Sequence, residues 1–336
     1  MSDRPLTRAD VEAAYLFLLG RPPESEAAYD HALTAGDVAT LRRRLMNSRE
    51  FALRLRQDLP LPLRRWMLEE MLAAPAPEPG PEGPPRIVFL HIMKTAGSSV
   101  RRWLEKVAGD APIWRHELEG RPGDASREDL ARYRVVMGHF TMADARHVPG
   151  PRRIFTVLRD PRERLISQFH YLHRHRAEVL DRPGMFSARI ARGCSLEQFL
   201  QHPHPEIQND LRNVMTRTLA GDYFLSGRNR YRRPWELDEQ AITGPELLAR
   251  ALTSLFALDF YSFTDRLDQD WPRLMRILGV PDAGPLPREN TQELVSDTLE
   301  KRPPPKVTPA AERLLHRLTD LDRSLYRLAR QAVGVR

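Results

Sequence analysis

Arg86-Ile-Val-Phe-Leu-His-Ile-Met-Lys-Thr-Ala-Gly-Ser-Ser-Val100 carries the architecture of this chain. An apolar run with strand character breaks at Lys94-Thr-Ala-Gly-Ser-Ser99, and a helix-forming stretch follows. Backbone N–H groups at a helix start lack partners within the helix and carry its positive partial charge, so a turn of this kind holds a phosphate or sulfate. Lys94 adds a full charge, and Thr95, Ser98 and Ser99 add hydroxyl donors. A Walker A loop would read G-x-x-x-x-G-K-[ST], with the lysine after the glycines and a magnesium-holding Ser/Thr beside it. Here the lysine comes first, Gly97 is the only glycine of the loop, and no G-x-G-x-x-G spacing offers a dinucleotide site. Lysine is scarce elsewhere, occurring only at positions 94, 106, 301 and 306 among 52 basic residues, so its presence in this loop points to chemistry.

On either side of this loop, the alternation of short apolar runs and helical patterns signals an α/β sheet. Strands are expected at 87–91, 134–138, 154–158 and 258–263, with helices at 98–108 and 161–178 and near 195–201, 208–220, 245–256, 265–279 and 308–332. The strand runs are apolar on successive residues, as in parallel strands covered on both faces. Ahead of them, residues 1–72 form a small all-α module, in which Val11, Ala14, Tyr15, Phe17 and Leu18 keep a helical period until Gly20-Arg-Pro-Pro23. Residues 73–85 are rich in Pro, Gly and Glu and read as a semi-rigid linker, which leaves 86–336 as the α/β domain.

Composition bounds the function. The 336 residues are 41% hydrophobic and 29% charged, a globular balance, and the formal charge of +7 favours anionic partners: nucleic acid, nucleotides or acidic polysaccharides. A single cysteine, Cys194, excludes an internal disulfide and any Cys-rich metal site. The N-terminus has no apolar signal region and no run approaches the about 18 apolar residues of a membrane span, so a cytoplasmic protein without a transmembrane segment is expected.

Two further strand-to-helix junctions carry chemistry. In Phe155-Thr-Val-Leu-Arg-Asp-Pro-Arg-Glu-Arg-Leu-Ile-Ser167, Asp160 suits an N-cap and Pro161 the first helical position, which leaves Arg159 at the carboxyl edge of a strand. That edge is where α/β sheets bind ligands, and Arg159 with Ser167 about two turns on can grip a second phosphate. In Val135-Val-Met-Gly-His-Phe140, His139 follows a strand and a glycine, a suitable place for a general base with an ordinary pKa of about 6.5. The other histidines, including His170, His173, His175, His202 and His204, read as surface or helix-face residues.

His91-Ile-Met-Lys-Thr-Ala-Gly-Ser-Ser99 resembles the H-I-P-K-T-A-G-T-S loop of the carbohydrate sulfotransferases, particularly the family that includes heparan sulfate 2-O-sulfotransferase and many bacterial members, with Met93 in place of proline. Arg159-Asp-Pro-Arg-Glu-Arg-Leu-Ile-Ser167 is similar to that family's R-D-P-x-E-R-x-x-S segment. Asn213-Val-Met-Thr-Arg-Thr-Leu-Ala-Gly221 resembles its N-x-x-T-R-x-L-x-G helix. Tyr261-Ser-Phe-Thr-Asp-Arg-Leu-Asp268 resembles its V-G-L-T-E-R-F-D segment near the nucleotide, with Ser262 where glycine is common and Asp265 for glutamate. Asn290-Thr291 matches a later N-x-T element.

The resemblance implies a P-loop-like central parallel sheet flanked by helices, the sulfotransferase fold. It implies 3′-phosphoadenosine 5′-phosphosulfate (PAPS) as donor and no metal. The 5′-phosphosulfate would lie on Lys94, Thr95, Ala96, Gly97, Ser98 and Ser99, the 3′-phosphate on Arg159 and Ser167, and catalysis would rest on His139 as base and Lys94. The implied acceptor is a hydroxyl of an acidic or neutral glycan or of a lipid-linked saccharide, not a nucleic acid. Arg162, Arg164, Arg174, Arg176, Arg228, Arg230, Arg232 and Arg233 offer a polyanion track, and Trp114, Tyr231 and Trp235 offer rings for sugar stacking. Tyr15-Leu-Phe-Leu-Leu-Gly-Arg-Pro-Pro23 with Ser48-Arg-Glu-Phe51 resembles a small bacterial domain of unknown function with an accessory role. The competing readings are a P-loop kinase, which lacks its glycine-rich loop here, and a non-catalytic nucleotide or polyanion binder.

Overall fold

The computed structural model describes residues 6–19, 21–36, 40, 41, 44, 45, 48, 50, 84–221, 244–280, 284–287 and 297–333. The chain divides into two compact units, Met1–Ala76 and Pro77–Arg336. The first holds helices Arg8–Leu19 and Glu26–Leu33 around a small core of Leu6, Val11, Ala14, Leu19, Ala32, Ala35, Leu41 and Leu45. Thr7 caps the first helix through Asp10, whose Oδ2 accepts from the Thr7 amide at 2.9 Å. Arg21 donates through Nε to Glu50 Oε1 at 2.6 Å, which joins the two stretches that resemble the accessory domain. The expected linker lies outside the described residues as far as position 83, and Pro84 and Pro85 lead directly into the sheet.

In the second unit five parallel strands form one sheet: β1 (Arg86–Leu90), β2 (Ile113–Arg115), β3 (Val135–Gly138), β4 (Arg152–Leu158) and β5 (Phe260–Phe263), in the order β2-β3-β1-β4-β5. Strand parity builds the core, because successive side chains leave a strand on opposite faces. Val88 and Leu90 pack on one face with Val136, Ile154, Leu158 and Phe263, beneath helices Val214–Ala220, Gly244–Ala257 and Asp320–Ala332. Ile87 and Phe89 pack on the other with Val135, Met137, Phe155 and Val157, beneath Gly97–Ala108 and Leu267–Leu278. Both faces are covered, which is why β1 from Ile87, β3 and most of β4 are apolar on successive residues and why the α/β architecture is legible in the sequence. A third core joins Leu165 and Phe169 of helix Pro161–His173 to Phe199, Leu211 and Leu315.

The chain runs from β1 to β2 and β3 on one side of β1 and then crosses to β4 on the other, so the topological switch lies between β1 and β4. Ligands of open α/β sheets bind at the carboxyl ends of the strands at such a switch. No helix among the described residues is long and apolar enough to cross a membrane.

Three expected helices differ. That over 161–178 ends at His173, because the chain at Arg174–Arg176 turns to pair with a strap: Glu300 N–H donates to Arg174 O at 2.9 Å and Arg176 N–H to Thr298 O at 3.0 Å. The one over 208–220 is two helices, Pro205–Leu211 and Val214–Ala220, split at Asn213, which is left-handed with φ 43°. The one over 308–332 is likewise two, Pro309–Leu318 and Asp320–Ala332, split at Thr319. The two breaks are one joint. Asn213 Oδ1 accepts from the amides of Leu321 (3.1 Å) and Asp322 (3.2 Å), and buried Asp322 accepts from the amides of Met215 and Thr216. The strand β2 and the short helix His116–Glu119 after it are additions to the expected elements.

Candidate active site

The turn after β1 is built by its backbone. Lys94 and Ala96 both adopt left-handed conformations, φ 66° and 65°, and Thr95 between them is buried, its hydroxyl donating to Ile92 O at 2.8 Å. This double reversal brings the chain into the twelve-residue helix Gly97–Ala108, whose start has no side-chain cap from Ala96. Gly97 is required by contact: a Cβ there would lie 1.6 Å from His91 Nε2. Ser98 is half-buried and Ser99 buried in the first turn. The strand end, the turn and the helix start therefore present the positive end of a helix dipole at the switch point.

Lys94 is half-buried, with Nζ 3.9 Å above the Tyr171 ring. Burial lowers its pKa to about 8, and the repulsion of Arg159 and Arg174 works in the same direction. Arg159 leaves the end of β4 and donates from Nη1 to Lys94 O at 3.2 Å. Asp160 caps the following helix by accepting from Glu163 N–H at 3.0 Å, and half-buried Ser167 lies within that helix. Arg174 sits at the helix end, buried, with Nε donating to Glu300 O at 2.9 Å. Cations with this little solvent around them gain most from a bound anion.

His139 stands at the end of β3, beside the same turn. Its Nδ1 pairs with His91 O at 2.8 Å; a carbonyl only accepts, so Nδ1 carries the proton and Nε2 keeps its lone pair. Burial holds this imidazole well below its ordinary range, against the raising effect of that hydrogen bond. The His91 ring lies 4.2 Å from the His139 ring, centroid to centroid, and stacks on Phe89 at 5.2 Å. Burial, and then the neighbouring His139, likewise keep His91 neutral. After His139 the chain is pinned by a capping box, in which buried Asp144 accepts from Thr141 N–H at 2.8 Å while pairing with Arg121 at 2.9 Å.

The fold thus brings Lys94, Arg159 and His139 to neighbouring strand ends. It also adds His116 and Tyr171, which sequence reasoning missed, and draws in Arg174, which the sequence placed in a polyanion track; the Tyr171–Arg174 spacing of one helical turn behind the R-D-P segment was the available signal. Other expectations change. Arg164 is fully buried, and Arg162 is paired with Glu312 at 2.9 Å and Glu163 at 2.8 Å, so this stretch is not an open polyanion track. Trp114 is buried with Nε1 donating to Gly120 O at 3.0 Å, a core residue and not a stacking platform. His170 and His175 are buried, and His173 is fixed between Ala191 O (2.8 Å) and Arg302 (2.9 Å), so these are internal struts and not surface residues. Arg228, Arg230, Tyr231, Arg232, Arg233, Trp235, Asn290 and Thr291 lie outside the described residues.

The motif-like segments that remain are tied to their surroundings by internal contacts. Arg217 is buried and donates to Asn209 O at 3.0 Å and Oδ1 at 2.8 Å. Ser262 is buried with its hydroxyl on Asp270 at 2.7 Å, and Asp265 is bound by Arg330 at 2.8 Å. Among the described residues no group of three or more His, Cys, Asp or Glu side chains gathers closely enough to hold a metal ion. No curated protein matches the chain significantly. The model of the sulfotransferase family matches residues 82–330, which include the whole sheet and every strand-end residue described above, and the chain belongs to that family.

Proposed function

We propose that the protein transfers the sulfuryl group of PAPS to a hydroxyl of a carbohydrate or glycolipid acceptor. The observation that carries this reading is the juxtaposition at one sheet edge of a buried cationic pair, Lys94 and Arg159, with an imidazole whose tautomer leaves Nε2 as an acceptor. The residues fit a doubly anionic nucleotide: the turn Lys94, Thr95, Ala96, Gly97, Ser98 and Ser99 holds the 5′-phosphosulfate, and Arg159 with Ser167 holds the 3′-phosphate. Bound there, the donor supplies a sulfuryl group and leaves as adenosine 3′,5′-bisphosphate.

His139 Nε2 takes the proton of the acceptor hydroxyl as the acceptor oxygen forms its bond to sulfur. Lys94 and the helix start stabilise the charge that appears on the bridging oxygen as the sulfur–oxygen bond breaks. Neutral at physiological pH, His139 is ready as a base without prior deprotonation. The test is a binding comparison of adenosine 3′,5′-bisphosphate with ATP, followed by transfer of labelled sulfate from PAPS to glycan and lipid fractions. Preference for the bisphosphate and label in a saccharide are expected; preference for ATP, or binding without transfer to any fraction, contradicts the reading.

A further inference from the structure

Strands β1 and β4 begin with arginine, and Arg134 immediately precedes β3. The β1–β4 register pairs Arg86 with Arg152, and Ile87 N–H donates to Arg134 O at 3.0 Å, which sets Arg134 beside Arg86 on the other side. Matched residues of parallel strands leave the sheet on one face, and neighbouring strands lie about 4.8 Å apart. Three cations thus form a row across the amino-terminal edge of the sheet, opposite the edge that carries Lys94, Arg159 and His139.

Like charges directly opposite each other on neighbouring strands work against folding. One residue further along β4, on the other face, Arg153 meets that problem in the ordinary way, paired with Asp259 at 2.9 Å. The row does not. Arg86 donates from Nη1 to Pro149 O at 3.1 Å and from Nη2 to Ala131 O at 2.5 Å, Arg152 from Nη1 to Val148 O at 2.8 Å, and Arg134 from Nη1 to Pro85 O. Every one of these partners is a backbone carbonyl, which orients a guanidinium without cancelling its charge. Burial and then the repulsion of Arg86 lower the pKa of Arg134. Burial and then Arg127 lower that of Arg152, with Arg146 adding to the effect and Asp259 opposing it. Asp259 is already engaged, one oxygen by Arg153 and the other by Ile154 N–H at 2.9 Å.

The outer two arginines keep donors in reserve. Arg134 and Arg152 are half-buried, and their remaining N–H groups are neither accepted by a described residue nor sealed from solvent. Arg86 is braced between them by its two carbonyls, with Nε sealed. Guanidiniums fixed in orientation and partly stripped of water match the oxygens of a sulfate or phosphate group. Recessed as they are, they suit an inserted anionic group better than a flat membrane surface.

We infer that the amino-terminal edge of the sheet is a second oxyanion site, in which Arg134, Arg86 and Arg152 bind a sulfate or phosphate group, either free or carried on a polysaccharide. The site stands apart from the donor reading above, since the two lie at opposite ends of the strands.

The test uses the full chain saturated with adenosine 3′,5′-bisphosphate, so that the opposite edge is occupied, and follows the Nε–Hε NMR signals of Arg134 and Arg152. Inorganic sulfate, inorganic phosphate and dextran sulfate are added at constant ionic strength, with sodium chloride as the reference. At least one of the three is expected to shift both signals saturably where chloride does not. Tighter binding of dextran sulfate than of inorganic sulfate would assign the group to a polymer, and equal affinity to a free ion. Arg134→Gln and Arg152→Gln should each weaken binding roughly tenfold or more, as a lost charge-assisted contact requires, while bisphosphate affinity stays within about twofold. The shifts in the parent protein hold whatever these variants do to folding. The inference is overturned if chloride reproduces the shifts, if no anion moves either signal, or if anion affinity survives in Arg134→Gln/Arg152→Gln. Binding to phosphatidylserine vesicles but to none of the three soluble anions would also overturn it, making this edge a membrane contact. Should the bisphosphate itself fail to bind, the donor reading falls, and the same titration in Lys94→Ala/Arg159→Ala still decides the second site.

Discussion

The two sides of the active edge are built on different principles. On the β1/β4 side the groups are cations held by consecutive residues: Lys94 lies in a turn shaped by its own φ and that of Ala96, and Arg159 precedes its own helix cap. On the β3/β2 side the groups are neutral imidazoles, and their relation depends on strand pairing and one glycine contact. In the proposed reaction one side binds charge and the other handles a proton. Burial lowers the pKa of His139 and the positive charge of Lys94 works in the same direction, so the imidazole stays neutral beside the cations.

Substitutions probe this division. His139→Ala should lower turnover by about 10²- to 10⁴-fold, the range for a lost general base, while bisphosphate affinity changes little; steady-state transfer paired with calorimetry measures both. A comparable loss of affinity would mean that His139 is part of the anion site. Lys94→Ala should lower turnover by about 10²- to 10³-fold and weaken bisphosphate binding as well, since this residue belongs to the charged side.

The pH dependence separates the same two sides. Lys94, with a pKa lowered to about 8, loses its charge as pH rises through that value, so donor affinity in the parent protein should fall above it. His139, held low by burial, should keep activity on its acid side well below its ordinary value of about 6.5. An acid limb near that ordinary value in the profile of kcat/KM, which reports the free enzyme, would show an unperturbed base. The smallest effect is expected far from both sides. Asn213→Ala removes a left-handed residue and its two accepted amides at the helix joint, and should cost about 1–3 kcal/mol in denaturant unfolding with the ratio of donor affinities unchanged.

The same division governs what the sequence discloses. Strands β1, β3, β4 and β5 were visible because strands buried on both faces are apolar at most successive positions. Lys94, Arg159 and Ser167 were visible because strand, turn and cap are local events. Strand β2 is three residues long and includes Trp114 and Arg115, too short for periodicity to register. His116 precedes His139 by more than twenty residues with no shared motif, and only pairing of β2 with β3 brings them together. The helix breaks at Asn213 and Thr319 were hidden for a related reason: each is stabilised by the other's helix, so the local pattern stays helical through both.

Everything proposed for the donor depends on the charged side reading a nucleotide with both a 5′ and a 3′ anion. Calorimetric affinities for adenosine 3′,5′-bisphosphate and adenosine 5′-phosphate, in the parent protein and in Arg159→Ala, give the decisive comparison. A strong preference for the bisphosphate is expected in the parent, collapsing by roughly tenfold or more in the variant, as loss of a charge-assisted contact requires. An unchanged ratio in Arg159→Ala would contradict it.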